Sequence, residues 1–224
     1  MKLLYKFPSR SRPKKFLQCI DNIYINQRHD DYTILASLDI DDATMNNEDM
    51  IEKMKHYDKL YPTWGKSINK IHAYNRDIDK ASEFDILISM SDDMLFVKNG
   101  FDIEIIADMM TYYPEMDGVL HYNDGNQKGN VMTLSIMGRK YYDRFDYIYH
   151  PEYESLFCDQ EATDVARLLN KYKYLGDEKI LFRHLHPAWG LGEYDKQYEL
   201  TERRDIWNQD EATYNKRKAN NFGI

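Results

Sequence analysis

The sequence predicts an α/β fold with a mainly parallel central sheet flanked by helices. Over the first hundred residues, apolar β-branched runs alternate with segments of helical spacing, in the order strand, helix, strand, helix, helix, strand. Three of those strands run straight into polar clusters, at 9–12, 39–42 and 91–93. In parallel sheets ligands bind outside the carboxyl ends of the strands, so three charged turns on one sheet edge point to a site. The length, 224 residues, suits one large domain with a real core, and neither a repeat nor a composition break divides it.

The first strand spans 3–7 and ends in the basic turn Pro8-Ser-Arg-Ser-Arg-Pro13. A helix follows over 14–23, with Phe16, Ile20 and Ile23 on one face. Tyr32-Thr-Ile-Leu-Ala-Ser-Leu38 is a strand that runs into Asp39-Ile-Asp-Asp42. The spacing of Met50, Met54 and Tyr57 predicts a helix over 47–60. A polar link containing Trp64-Gly65-Lys66 then leads to a helix over 67–81, and Phe84-Asp-Ile-Leu-Ile-Ser89 is the strand before Ser91-Asp92-Asp93. The second half is less regular. It predicts a polar loop over 123–129, a strand over 131–137 and a short helix over 139–145. Beyond these come a helix over 159–172, a strand over 179–186 stopped by Pro187, and a charged surface helix over 198–220.

Composition narrows the class. Hydrophobic residues make up 42% and charged ones 30%, as in an ordinary soluble protein. No apolar run approaches the roughly 18 to 20 residues of a membrane span. MKLLYKFPSR carries too short an apolar run for a signal peptide. Cys19 and Cys158 lie far apart without metal-ligand spacing, which reads as two reduced core thiols in a cytoplasmic protein. A net charge of −8 argues against a broad nucleic-acid surface but leaves room for a small anion site. The adjacent carboxylates Asp92 and Asp93 at a strand end read either as a solvated turn or as a seat for a hard divalent cation and its phosphates.

The order of these pieces resembles the nucleotide-sugar half of the family-2 glycosyltransferases of the GT-A fold. The resemblance rests on the Pro8–Pro13 turn, Asp41-Asp42, Ser91-Asp92-Asp93, Phe157-Cys-Asp159-Gln-Glu161 and His184-Leu-His186-Pro-Ala, and it covers nearly the whole chain. It implies a single GT-A, Rossmann-like domain over 1–224. Residues 1–100 would form the nucleotide-sugar half, 101–197 the acceptor and catalytic half, and 198–224 a helical tail. Ser91-Asp92-Asp93 stands where the family carries D-x-D, departing from it at Ser91. Asp93 is then the ligand of Mn²⁺ or Mg²⁺, and Asp92 faces the ribose or sugar. Asp39 or Asp41 would satisfy a base N–H, which favours uracil. Ser9, Arg10 and Arg12 line the nucleotide pocket, with Lys66 and Asn69 on the helix entering it.

The resemblance also makes Asp159 the general base of an inverting transfer, with Glu161 as the alternative. The dipole of the helix that Asp159 opens would keep it ionised. His186, or else His184, would complete the metal or diphosphate site. Each has a bland counterpart. Asp159 alone reads as an N-cap, the histidines as a hydrogen-bonded pair, the arginines as surface cations, and Trp189 as a core residue or a sugar platform.

The expected reaction moves a hexosyl or pentosyl group from a UDP-sugar, by default UDP-glucose or UDP-galactose, to a hydroxyl. The acceptor is a glycan, a lipid-linked glycan, a protein or a modified nucleic-acid base. A nucleotidyltransferase would want a glycine-rich loop after the first strand, and Pro8–Pro13 has no glycine. A non-catalytic binding module of the same fold would have no need of Asp159 beside Asp92-Asp93.

Overall fold

A computed structural model describes residues 1–81 and 83–224. The first half runs β1 (Leu3–Ser9), α1 (Pro13–Asn26), β2 (Tyr32–Asp39), α2 (Glu48–Met54), β3 (Leu60–Gly65), α3 (Lys70–Asn75), β4 (Ile86–Ser89) and β5 (Met94–Phe96). The second adds α4 (Phe101–Tyr112), β6 (Val119–His121), β7 (Ile136–Gly138), α5 (Arg139–Tyr142), α6 (Cys158–Leu168), β8 (Tyr172–Tyr174), β9 (Phe182–His184), α7 (Lys196–Thr201) and α8 (Arg204–Ala219).

Seven strands form one sheet in the order β3-β2-β1-β4-β7-β6-β8. Only β7 runs against the others, pairing antiparallel with both β4 and β6. Strand alternation sorts the side chains onto two cores. Leu3, Tyr5, Phe7, Ile34, Leu38 and Ile86 meet Phe16, Ile20 and Ile23 of α1 on one face. Leu4, Leu35 and Leu87 meet Ile71 and Tyr74 of α3 and Val165 and Ala166 of α6 on the other. Pro13 starts α1 at a position where a missing N–H costs nothing.

Several boundaries differ from the sequence reading. The helix predicted over 47–60 stops at Met54, and the link around Trp64 is the edge strand β3, paired with β2 alone. Pro62 is tolerated there because an edge strand leaves half of its N–H groups unpaired. The helix predicted over 67–81 is only α3. Arg76 turns extended and Asp77 takes a left-handed φ of 70°. Both side chains are drawn inward to Ser37, Thr63 and Ser67, hydrogen bonds that a continuing helix would forgo. β5, α4 and β6 lie where the sequence reading assigned nothing, and β8 begins at the last residue of the helix predicted over 159–172. The strand predicted over 179–186 shortens to β9, which leaves the main sheet and pairs antiparallel with β5. No helix among the described residues is long and apolar enough to cross a membrane.

The tail is two helices, and it is not only surface. Asp210 of α8 is fully buried, its carboxylate accepting the backbone N–H groups of Glu154, Ser155 and Leu156 at 3.0, 2.9 and 2.7 Å. These three residues lead directly into α6. Asp210→Ala would orphan three donors at once, and we expect it to cost about 3 kcal/mol in urea unfolding. A loss under about 0.5 kcal/mol would mean that water replaces the carboxylate.

Candidate functional site

Because β1, β2, β3, β4 and β6 share one direction, their carboxyl ends gather at one edge. Asp92 and Asp93 sit there, each only 7% exposed. Ser9 Oγ donates to Asp92 Oδ2 at 2.8 Å, and Arg12 Nη1 donates to Asp92 Oδ1 at 2.8 Å. Tyr198 Oη donates to Asp93 Oδ2 at 2.7 Å, while His184 Nε2 approaches the same oxygen at 3.4 Å. Asp93 Oδ1 is buried with no hydrogen-bond partner among the described residues.

The pair titrates apart. Burial, joined by the charge of Asp93, lifts Asp92 above the usual carboxylate range against the pull of Arg12 and Ser9. Burial acts upward on Asp93 too, but bonds and charge from His184, with help from Ser91 and Tyr198, hold it well below that range. An ionised carboxylate with one free buried oxygen suits a hard divalent cation, which takes one or two protein carboxylates and completes its shell from phosphates and water. Among the described residues, no three or more His, Cys, Asp or Glu are grouped to enclose an ion by themselves.

Of the two histidines, His184 is the one beside the acidic pair. The β5–β9 register pairs Met94 with His184, and Leu185 N donates to Asp93 O at 2.7 Å, so the imidazole is carried to Asp93 by the backbone. His186, the preferred candidate from the sequence, is instead 2.8 Å from Glu202 Oε1 and accepts Ala188 N–H. A third carboxylate escaped the sequence reading. Asp124 Oδ2 lies 3.8 Å from His184 Nδ1, and the Asp124 carboxylate is fixed by Asn126 N, Gln127 N and Thr133 Oγ1. Burial opposes a charge on His184, but Asp124 and Asp93 outweigh it and raise its pKa to about 9. Only the loop after β6 gives Asp124 its place, and the sequence marked that loop as a turn alone.

At the far side of the edge, Arg10 Nη1 donates to Asp39 Oδ2 and to Asp41 Oδ1, both at 2.7 Å. Asp39 is buried and also accepts Ser67 N–H at 2.8 Å, whereas Asp41 stands exposed. Asp42 faces inward, binding Ser11 N and Thr44. Lys66 is exposed near Asp41. Asn69 is not on the helix but caps α3, its Oδ1 accepting His72 N–H at 2.8 Å. Beneath this group, buried Lys6 donates to Ser37, which shares Asp77 with Thr63 and Arg76.

Asp159 lies in the first turn of α6, after Phe157 in a left-handed conformation (φ 58°). It is not the cap residue; its Oδ1 accepts Gln160 N–H at 2.9 Å. Burial raises its pKa even though Lys70, nearby backbone N–H groups and His184 pull the other way. Desolvation and the helix dipole thus act in opposite directions on Asp159, and the net shift is upward. Lys70, at the start of α3, is a further charge near Asp159 that the sequence reading passed over. Glu161 is fully engaged elsewhere. Arg217 Nε and Nη2 bind it at 2.8 and 2.9 Å, and Tyr153 Oη donates to it at 2.7 Å, so it anchors the tail. Trp189 is 46% exposed, which removes it from the core.

No family model matches the chain, and no curated protein matches it in sequence. Solved structures do. S. aureus TarS 1–349 in complex with UDP superposes with a TM-score of 0.64 at 15% identity, covering 82% of this chain and 60% of that one. The chain has the GT-A glycosyltransferase fold. The same TarS 1–349 in complex with UDP-GlcNAc gives a TM-score of 0.61 at 17% identity, over 82% of this chain and 58% of that one. The mannosyltransferase PcManGT from Pyrobaculum calidifontis, in complex with GDP-Man and Mn²⁺, gives 0.62 at 10% identity, over 89% and 67%. The chain thus spans about three fifths of the length of TarS 1–349. In this GT-A fold the acidic pair, Ser9, Arg12, His184 and Tyr198 meet at one sheet edge.

Lys6 gives the site's underside a pH signature. Burial, aided by Arg76 and Lys80 and opposed by Asp77, lowers its pKa from 10.5 to about 7. Between those values the unfolded chain keeps the proton that the folded chain has lost, so stability rises with pH. Urea unfolding of the wild type should show this rise from pH 7 toward 10, at up to about 1.4 kcal/mol per unit. Lys6→Met should flatten it; an equal rise in the variant would exclude Lys6 as the source.

Proposed function

We propose that the chain is an inverting glycosyltransferase that moves a sugar from a nucleotide-sugar donor, UDP-linked by preference, to an acceptor hydroxyl. The observation that carries this reading is the buried Asp92–Asp93 pair, with one Asp93 oxygen left unpartnered, at the strand ends of a GT-A sheet. UDP, UDP-GlcNAc and GDP-Man in the complexes of similarly folded proteins support it. Residues 1–100 serve the nucleotide and 101–197 the acceptor. A carboxylate of the Asp39–Asp41 pair accepts the base N–H, Lys66 reaches the same end, and Asp92 orients the ribose or sugar. Asp93, with His184 beside it, would hold Mn²⁺ or Mg²⁺, which when bound supplies charge neutralisation for the diphosphate.

The chain's own residues divide the rest. Asp159 accepts the proton of the acceptor hydroxyl as its oxygen forms a bond to the anomeric carbon. The bond from that carbon to the diphosphate breaks on the opposite face, and its electron pair leaves on the phosphate oxygen. Arg12 stabilises the charge that develops there, and His184 stands beside it as a hydrogen-bond donor. A pKa raised by burial makes Asp159 a stronger proton acceptor than a solvent-exposed carboxylate. Glu161, bound by Arg217, is left out of the chemistry.

Released UDP, measured over a panel of UDP-sugars with Mn²⁺, tests the donor reading; no turnover with any nucleotide-sugar would count against it. Asp93→Ala should abolish turnover and remove the Mn²⁺ dependence of UDP binding in calorimetry. Equal Mn²⁺-dependent affinity in both proteins would take the metal away from Asp93. Asp159→Asn keeps the shape of the side chain. It should leave UDP affinity and melting temperature nearly intact while slowing transfer roughly 10²- to 10⁴-fold. Near-normal transfer, or a product that retains the donor's anomeric configuration by NMR, would remove Asp159 from the role.

A further inference from the structure

Arg12 and Lys15 stand one turn apart at the start of α1, a helix of 14 residues with no acidic residue in its first turn. Both point at a single carboxylate. Arg12 Nε and Nη2 donate to Asp195 Oδ1 at 3.3 and 2.7 Å, and Lys15 Nζ donates to Asp195 Oδ2 at 2.8 Å. Arg12 meanwhile keeps Nη1 on Asp92, so it spans the buried acid pair and this outer anion. Three residues on, Tyr198 closes the same face. Its hydroxyl binds Asp93 and its ring lies 4.1 Å from the Arg12 guanidinium.

We infer that Arg12 and Lys15 are a subsite for the donor's diphosphate, and that Asp195 of the chain's own α7 fills it until a nucleotide arrives. This rests on the nucleotide-sugar reading above. The chemistry is that of phosphate recognition: a guanidinium fork and an ammonium point charge gripping the two oxygens of one anionic group, at the positive end of a helix. The two halves of the grip differ in depth. The Asp92 and Arg12 side chains are 6% and 9% exposed, whereas Lys15 and Asp195 are 31% and 30% exposed. The outer carboxylate is therefore the one that an incoming anion can displace. Asp195 is ionised at any working pH, because Arg12 and Lys15 overcome its burial and hold its pKa at about 2.

The segment bearing Asp195 is held by polar contacts to the site more than by a core of its own. α7 has six residues and buries only Tyr198, and the stretch before it turns through left-handed Gly190 and Gly192 with Leu191 and Tyr194 exposed. Displacing Asp195 also removes the cap of α7, since its carboxylate accepts Gln197 and Tyr198 N–H. Diphosphate binding and release of α7 are thus coupled, and the apparent affinity for nucleotide is the intrinsic one multiplied by the fraction of molecules in which α7 is undocked.

Asp195→Asn tests this, because Asn still caps a helix but brings no charge to the two cations. Calorimetry with UDP and with uridine, in Mn²⁺, should show UDP binding about tenfold tighter in the variant and uridine binding unchanged. In the wild type, saturating UDP should speed hydrogen exchange at the amides of 195–202. UDP affinity that is equal or weaker in the variant overturns the inference while leaving the nucleotide reading in place. So does protection of those amides by UDP, which would make α7 a cover that closes over the nucleotide. Failure of UDP and uridine to bind either protein would overturn the nucleotide reading itself, and the subsite with it.

Discussion

Two adjacent carboxylates withdrawn from water at a strand end set the terms for the rest of this molecule. An uncompensated buried charge costs several kcal/mol, so Asp92 and Asp93 oblige other parts of the chain to come to them. Ser9 and Arg12 arrive from the turn after β1, His184 from β9 and Tyr198 from α7. None of these partners is near the acid pair in sequence. The compensation is also uneven, since Asp92 has both oxygens satisfied and Asp93 keeps one free. That asymmetry separates a carboxylate fixed in place from one with capacity left for a ligand.

The half of the fold built from local pattern was legible in the sequence. β1, α1, β2 and β4 follow from apolar periodicity, and the clustering of 9–12, 39–42 and 91–93 follows from parallel strands sharing a carboxyl edge. What escaped depended on long-range pairing. Leu60–Gly65 carries Pro62 and exposed Tyr61, a composition that only an edge position beside β2 makes into a strand. Met94–Phe96 is too short to signal itself and exists because Phe182–His184 pairs with it. That pairing also selects His184 over His186, neighbours on one strand face that sequence spacing alone leaves equivalent.

Side chains with two plausible employments were the other blind spot. Asn69 and Glu161 have the chemistry of site residues, but their oxygens are spent on a helix cap and on Arg217. Tyr198 lies in a charged tail that reads as solvated surface, and Asp195 stands just before it in a stretch with no assigned role, and yet one binds Asp93 and the other Arg12. α8 follows the same logic, with Asp210 inserted beneath the segment that leads into α6. The carboxyl-terminal fifth of the chain is thereby built into both the scaffold and the site.

The two thiols give this arrangement a built-in reporter. Cys19 lies under the acidic turn, its Sγ donating to Met94 O at 3.4 Å, and Cys158 immediately precedes Asp159. Both are buried, and burial pushes both thiols far toward the protonated form. A closed molecule is therefore inert to alkylating reagents, and modification proceeds only through moments when one region loosens. The rate at Cys19 clocks the breathing of the acidic turn above it, and the rate at Cys158 clocks that of the helix bearing Asp159, with no label introduced.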